Sequence, residues 1–143
     1  MLARRATPIG CGTGRSGSFT LELLFVLPIL MALLLGTIEF SMFGLARQQV
    51  VAASREGARA AALGGNAQDV QQAAAMFLGN GALANATVQA TLTDARGNPV
   101  ASGQPVAVTV SIPANEAVPD LLPFIGFSIQ NETITAQTVM RKE

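Results

Sequence analysis

Glu22 and Glu39 are the only charged side chains in the 31 residues between Arg15 and Arg47. A carboxylate at the centre of a bilayer costs about 3 kcal/mol, less near the boundary, and is usually matched to a partner. These two acids are therefore the first candidates for chemistry. Catalytic chemistry has little else to draw on. The chain has no His and one cysteine, Cys11, so histidine-dependent catalysis, an intrachain disulfide and a Cys/His metal site are excluded. Ser, Asp, Glu, Lys and Arg remain, and they form no clustered set along the chain. We therefore expect no enzyme, no metal and no cofactor. Nine basic and nine acidic residues cancel, so no bulk charge points to nucleic acid.

The two acids lie in the stretch that organises the chain, Ser16–Arg47. Leu23–Ile38 is sixteen residues without charge, and with Glu39 as its one interruption the apolar run reaches Ala46, twenty-four residues in all. A bilayer core of about 30 Å takes about 20 helical residues, so this reads as one membrane span over about 23–46. The span should be helical despite Pro28, because lipid offers no partners for free backbone groups.

Residues 1–17 carry Arg4, Arg5 and Arg15 and no acid. The positive-inside rule keeps this end in the cytoplasm and exports the C-terminal part. A conventional signal peptide needs a short apolar core with a small-residue cleavage site close behind, whereas here the run is long and Glu39 and Arg47 follow. A lipid-modified Cys11 needs an apolar stretch before it, and Arg4–Pro8 is not one. Gly17 followed five residues later by Glu22, ahead of a long apolar helix, resembles the type IV prepilin processing site. There a membrane peptidase cuts after the glycine and leaves glutamate at the fifth mature position, so the mature chain would begin at Ser18. The alternative is an uncleaved signal anchor with Glu22 at the headgroup boundary.

The helical pattern continues past the span. Residues 47–63 contain no proline, and Val50, Ala53, Gly57, Ala58 and Ala61 recur at helical spacing opposite Arg55, Glu56 and Arg59. Gly64-Gly65 is a natural stop. A helix from Phe19 to Leu63 would run about 67 Å at 1.5 Å per residue, about twice a bilayer core. Asn66 can cap a second helix with Asp69 at its third position. Val70, Ala73, Ala74, Phe77 and Leu78 would form its buried face, and Gly79-Asn80-Gly81 its end.

After Asn85 the period changes to two. Val88, Ala90 and Leu92, then Val106, Val108, Val110 and Ile112, then Ile134 and Ala136 in a run ending near Met140, read as three half-buried strands. Arg96–Pro99 and Ser102-Gly103 are turn signals between the first two. Pro113–Gly126 reads as a long loop, and Leu121, Leu122, Phe124, Ile125 and Phe127 make an apolar knot in and beside it. The knot reads first as a lid on the core, with a membrane or partner contact as the other reading. The fold expected is α+β: a long membrane-spanning helix, a short second helix and a small antiparallel sheet of about three strands. Residues 1–17 would be a leader, 18–63 the helix and 64–143 an exported domain. Asn85-Ala-Thr and Asn131-Glu-Thr fit glycosylation acceptors, but triplets this short arise by chance.

The Gly17/Glu22 spacing, Leu27-Pro28, Gly36-Thr-Ile-Glu39-Phe40, Ala53-Ser-Arg55-Glu56-Gly57-Ala58-Arg59 and the closing Thr135–Glu143 together resemble the TadE-like family. Its members are minor pseudopilins of tight-adherence (Flp) pilus systems. The resemblance covers about Gly17–Ala61 and the final strand. Ala-Ser-Arg-Glu-Gly-Ala-Arg is its more specific part, because the Gly/Glu site is shared by all type IV-like pilins. Leu23 departs from the aromatic residue that commonly follows the processing glutamate. Phe19-Thr-Leu-Glu-Leu-Leu is also similar to ordinary type IV pilins and to type II secretion pseudopilins, in which Phe rather than Ser usually stands first after the cut.

The resemblance implies a non-enzymatic subunit that helps initiate or assemble a surface pilus. Its partners would be a prepilin peptidase, a sibling minor pseudopilin, the major Flp pilin, the inner-membrane assembly platform and the lipid bilayer. The mature chain would reside in the bacterial inner membrane, with its sheet domain in the periplasm, or in the pilus itself. Gly17, Ser18 and Glu22 would form the processing site. Glu39, Arg55, Glu56 and Arg59 are candidate helix contacts. Glu39 lies seventeen residues past Glu22, about 26 Å along a helix, so it would sit in the headgroup region near Arg47 or touch a partner helix. The reading from another class is an anchored periplasmic binding module, with the helix only a tether.

Overall fold

The computed structural model of the chain describes residues 16–93 and 97–143, and the side chains of the first helix from Phe19 onward. Arg4, Arg5, Cys11, Arg15 and Arg96 lie outside the described residues, as do the side chains of Gly17 and Ser18. The elements are α1 (Ser16–Ala62), α2 (Ala67–Leu78), β1 (Thr87–Thr91), β2 (Pro105–Pro113), α3 (Ala114–Ala117), a 3₁₀ turn (Pro123–Ile125) and β3 (Thr133–Arg141). This is an α+β fold with a long apolar first helix, a short second helix and a three-stranded antiparallel sheet in the order β1-β2-β3.

The chain divides into two compact units at Leu33/Leu34. The described part of the first is the N-terminal portion of α1. Phe19, Leu21, Leu23, Leu24, Phe25 and Leu27 are all exposed there. α1 is assigned helix without a break through Pro28. Mean hydropathy reaches 2.4 within Phe19–Ala62, long and apolar enough to cross a membrane.

The second unit, Leu34–Glu143, holds the core. Val50, Ala53, Ala58 and Ala61 of α1 are buried with Val106, Val108, Val110 and Ile112 of β2. Strict alternation along β2 puts its four large side chains on the helix side and Ala107, Thr109 and Ser111 on the other. Full burial of each valine contributes on the order of 1.5–3 kcal/mol. Val88 and Ala90 of β1, and Ile134, Ala136 and Met140 of β3, extend the same inner face. Pairing runs from Thr87↔Ser111 to Thr91↔Ala107 and from Pro105↔Arg141 to Pro113↔Thr133. Leu92 falls just beyond β1, where its carbonyl accepts from the Val100 N–H.

Small residues let α1 approach the sheet. A Cβ on Gly57 would stand 3.1 Å from Val108 Cγ1 and 3.4 Å from Val70 Cγ1. The helix closes one residue earlier than the glycine pair suggests. Gly65 N–H donates to Ala60 O at 3.0 Å and Gly64 N–H to Ala61 O at 3.1 Å, the paired bonds of a Schellman end, with Gly64 at φ +87°. Asn66 then caps α2: its Oδ1 accepts from Gln68 N–H and Asp69 N–H, and Asp69 Oδ2 accepts from Asn66 N–H. The cap is the one expected at Asn66; the return bond from Asn66 N–H to Asp69 completes a capping box that the sequence reading did not include. The buried face of α2 is narrower than expected. Val70, Ala74 and Leu78 are buried, but Phe77 is 47% exposed, because the i, i+4, i+8 stripe alone fills the space over the sheet.

The segment between β2 and β3 departs most from expectation. It holds α3 and the 3₁₀ turn rather than a plain loop. The apolar knot is not a lid: Leu122 is buried, but Phe124, Ile125 and Phe127 are 65%, 56% and 57% exposed. Core space beneath this segment is already taken by Ala114, Ala117, Val118 and Ile129.

Candidate functional site

Three groups of residues carry the candidate chemistry, and all involve α1. The first is its N-terminal end. Gly17, Ser18 and Glu22 lie within the helix, and Glu22 is exposed among the exposed apolar side chains around it. α1 begins at Ser16, so Glu22 stands beyond its first turn, and the helix start gives its charge little support.

The second group surrounds Glu39. Only 3% of Glu39 is exposed, and the side chain is covered by the chain's own β2–β3 connection. Leu121 N–H donates to Glu39 Oε2 at 3.1 Å, while Oε1 is buried without a hydrogen-bond partner among the described residues. Gly36, Phe40 and Phe43 of α1 line the same cleft with Leu122, Ile125 and Phe127. The structure thus sets Glu39 against a loop 82 residues away. The sequence offered a headgroup position beside Arg47 or a partner helix, and could not name that loop. A buried carboxylate needs donors, and here the backbone of the apolar segment supplies one.

The third group is the segment from Ala53 to Arg59. Helical spacing splits it into two faces. Ala53, Ser54, Gly57 and Ala58 point into the core, with Ser54 fully buried. Ser54 Oγ donates to Val51 O at 2.9 Å and shares a 2.8 Å hydrogen bond with Thr138 Oγ1 on β3. Arg55 and Arg59 are exposed and Glu56 half-buried; Arg59 Nη1 lies 3.8 Å from Glu56 Oε1, one turn away. A pair this open to solvent contributes little to stability. The segment therefore does two jobs, packing on one side and presenting charge on the other. The structure does not gather Glu22, Glu39 and the charged turn into one centre; they are separate stations along α1. Among the described residues no three metal-ligating side chains come together.

The residues that sequence reasoning undervalued are Leu121, Phe124, Ile125 and Phe127. Their signal was visible as an uncharged run around Pro123, but periodicity says nothing about which side of such a run meets the core.

Comparison with known families finds one match of direct relevance. The family model described as TadE-like protein matches residues 17–59. That range begins at the candidate processing glycine and ends at Arg59, and it is the family that the sequence itself resembles. It covers the apolar helix and the two-faced segment, and links α1 to proteins associated with the Tad pilus. No curated protein and no solved structure gives a significant match to the chain.

Proposed function

We propose that this chain is a membrane-anchored minor pseudopilin that acts in initiating or assembling a tight-adherence (Flp) pilus. The TadE-like match over residues 17–59 carries this reading, because it joins the Gly17/Glu22 spacing, the apolar helix and the Ala53–Arg59 segment in one stretch. A prepilin peptidase cuts after Gly17, and Ser18 becomes the mature N-terminus. The basic leader holds that bond on the cytoplasmic side. The sheet unit lies on the periplasmic side of the inner membrane.

Cleavage creates a cationic amine at Ser18 beside lipid. Glu22 pairs with the amine of a neighbouring subunit, so two charges that are each costly in lipid neutralise one another as helices pack. Arg55, Glu56 and Arg59 offer the exposed charges for a sibling pseudopilin. The major Flp pilin and the assembly platform are the further partners. The role is one of assembly rather than catalysis.

Intact-mass measurement on protein from native membranes tests the reading. A mass that begins at Ser18 supports it. A mass that begins at Met1 or Leu2 rejects processing and leaves an anchored binding module as the better account.

A further inference from the structure

Leu121–Phe127 is a seven-residue segment, Leu-Leu-Pro-Phe-Ile-Gly-Phe, without a charged or hydrogen-bonding side chain. Its base is pinned by polar groups: Ser128 Oγ donates to Asp120 Oδ2 at 2.6 Å. Its tip is turned tightly, with Ile125 N–H donating to Leu122 O, Gly126 N–H to Pro123 O, and Gly126 at φ +84°. Three large side chains at this tip, Phe124, Ile125 and Phe127, are more than half exposed. A protein that is soluble all round does not leave such a cluster uncovered without use for it.

What covers the tip follows from where the segment is seated. Leu122 Cδ1 lies 3.5 Å from where a Cβ on Gly36 would stand. Leu121 N–H is held by Glu39. Phe40 and Phe43 line the cleft with Ile125 and Phe127, and Phe40 is itself 78% exposed. Gly36, Glu39, Phe40 and Phe43 all belong to the apolar run 23–46. Counting from Leu23, where that run begins, twenty residues end at Met42, and about 20 helical residues cross the hydrocarbon core. The segment is therefore fastened to the stretch of helix that leaves the hydrocarbon. If the helix spans, the fastened tip is at that boundary too.

We infer that the Leu121–Phe127 tip is an interfacial membrane anchor: Phe124, Ile125 and Phe127 insert beside Phe40 into the outer leaflet of the bilayer that α1 crosses. The local chemistry suits that place. Backbone in lipid must satisfy its own polar groups. Here Pro123 brings no N–H and those of Leu121, Ile125 and Gly126 are bonded within the chain, which leaves the N–H groups of Leu122, Phe124 and Phe127 to the water and headgroups of the interface. Glu39, the one acid in the outer half of the run, is shielded from lipid by the same segment. The anchor gives the sheet unit a second attachment to the membrane. The inference rests on α1 spanning a bilayer and not on the pilus role.

The test uses the full chain in a Cys11→Ser background, with Phe124→Cys or Phe127→Cys carrying an environment-sensitive NBD fluorophore. Leu30→Cys in the span and Gln137→Cys on the outer face of the sheet serve as references. Vesicles of phosphatidylcholine and phosphatidylglycerol at high lipid excess contain no other protein. The expected result is that probes at 124 and 127 shift to the blue, lose most of their intensity to lipid-borne shallow spin labels and resist aqueous iodide, while Gln137→Cys stays open to iodide. Probes at 124 and 127 that behave like Gln137→Cys, while Leu30→Cys is shielded, overturn the anchor and leave the span standing. Shielding that appears only at high protein density assigns the tip to a second copy and also overturns it. An unshielded Leu30→Cys removes the span and the anchor together.

Discussion

Ser54 Oγ and Thr138 Oγ1 meet 2.8 Å apart, 84 residues distant in sequence, in a place where Ser54 has no solvent access. The contact joins α1, within the stretch matched as TadE-like, to β3, which lies outside that match. A hydroxyl pair of this kind, with Ser54 buried and Thr138 half-buried, fixes register as well as adding stability.

Ser54→Ala should therefore cost about 1 kcal/mol, since it strips Thr138 of its buried partner. Thr138→Val alone should cost a similar amount. The double substitution should cost less than the two summed, because the bond can be lost only once. Urea titration of the full chain in micelles, followed by circular dichroism of the sheet unit, measures all three. Additive losses would mean that the two hydroxyls act independently.

Gly57 of α1 stands close against Val108 of β2. Gly57→Leu forces a branched side chain into space already held by Val108 and Val70, and overpacking of this kind typically costs 1–3 kcal/mol, about as much as a buried valine contributes. The sheet unit should loosen while the apolar end of α1 still inserts. Limited proteolysis of membrane fractions reads this directly: a protected helical fragment with a degraded C-terminal part. A protease-resistant sheet unit would show that the helix can slide to accommodate the change.

Processing and assembly should separate at the N-terminal end. Gly17→Ala should leave a longer, uncut chain. Glu22→Ala should give inserted protein that no longer co-purifies with partner pilins. Immunoblots for size, and affinity capture from the same membranes, report the two effects. Wild-type capture of partners by Glu22→Ala would reduce Glu22 to a boundary residue.

Arg55→Ala combined with Arg59→Ala should leave stability within about 0.5 kcal/mol, as surface substitutions usually do. The same protein should lose crosslinks to a sibling pseudopilin in cells. Loss of folding instead of crosslinks would place these arginines in the chain's own structure.

Much of this fold could be read from the sequence because its elements are periodic. Alternation in Val106–Ile112 fixed the inner face of β2, and Asn66 with Asp69 fixed the start of α2. Gly64-Gly65 fixed the end of α1 to within a residue. Each of these signals is local. The cover over Glu39 is not, because Leu121 stands 82 residues further on, in the connection between β2 and β3. Exposure of Phe124, Ile125 and Phe127 was hidden for a related reason: an aperiodic apolar run has no face, and only the filled core beneath shows that there is no room for it inside. Phe77 was misjudged on the same ground, since five apolar positions on α2 competed for a stripe that three could fill.

The end of the chain has a mechanical meaning. Glu143 N–H donates to Ala62 O, and eight residues back along α1 Ser54 meets Thr138. The two contacts rise together along both elements, so β3 runs in the same direction as the helix and is tied to it at two levels. A pull along the axis of α1 then loads the helix–sheet contacts side by side, in shear, instead of peeling them one after another. A chain drawn by its helix therefore holds these contacts together until they fail as a set.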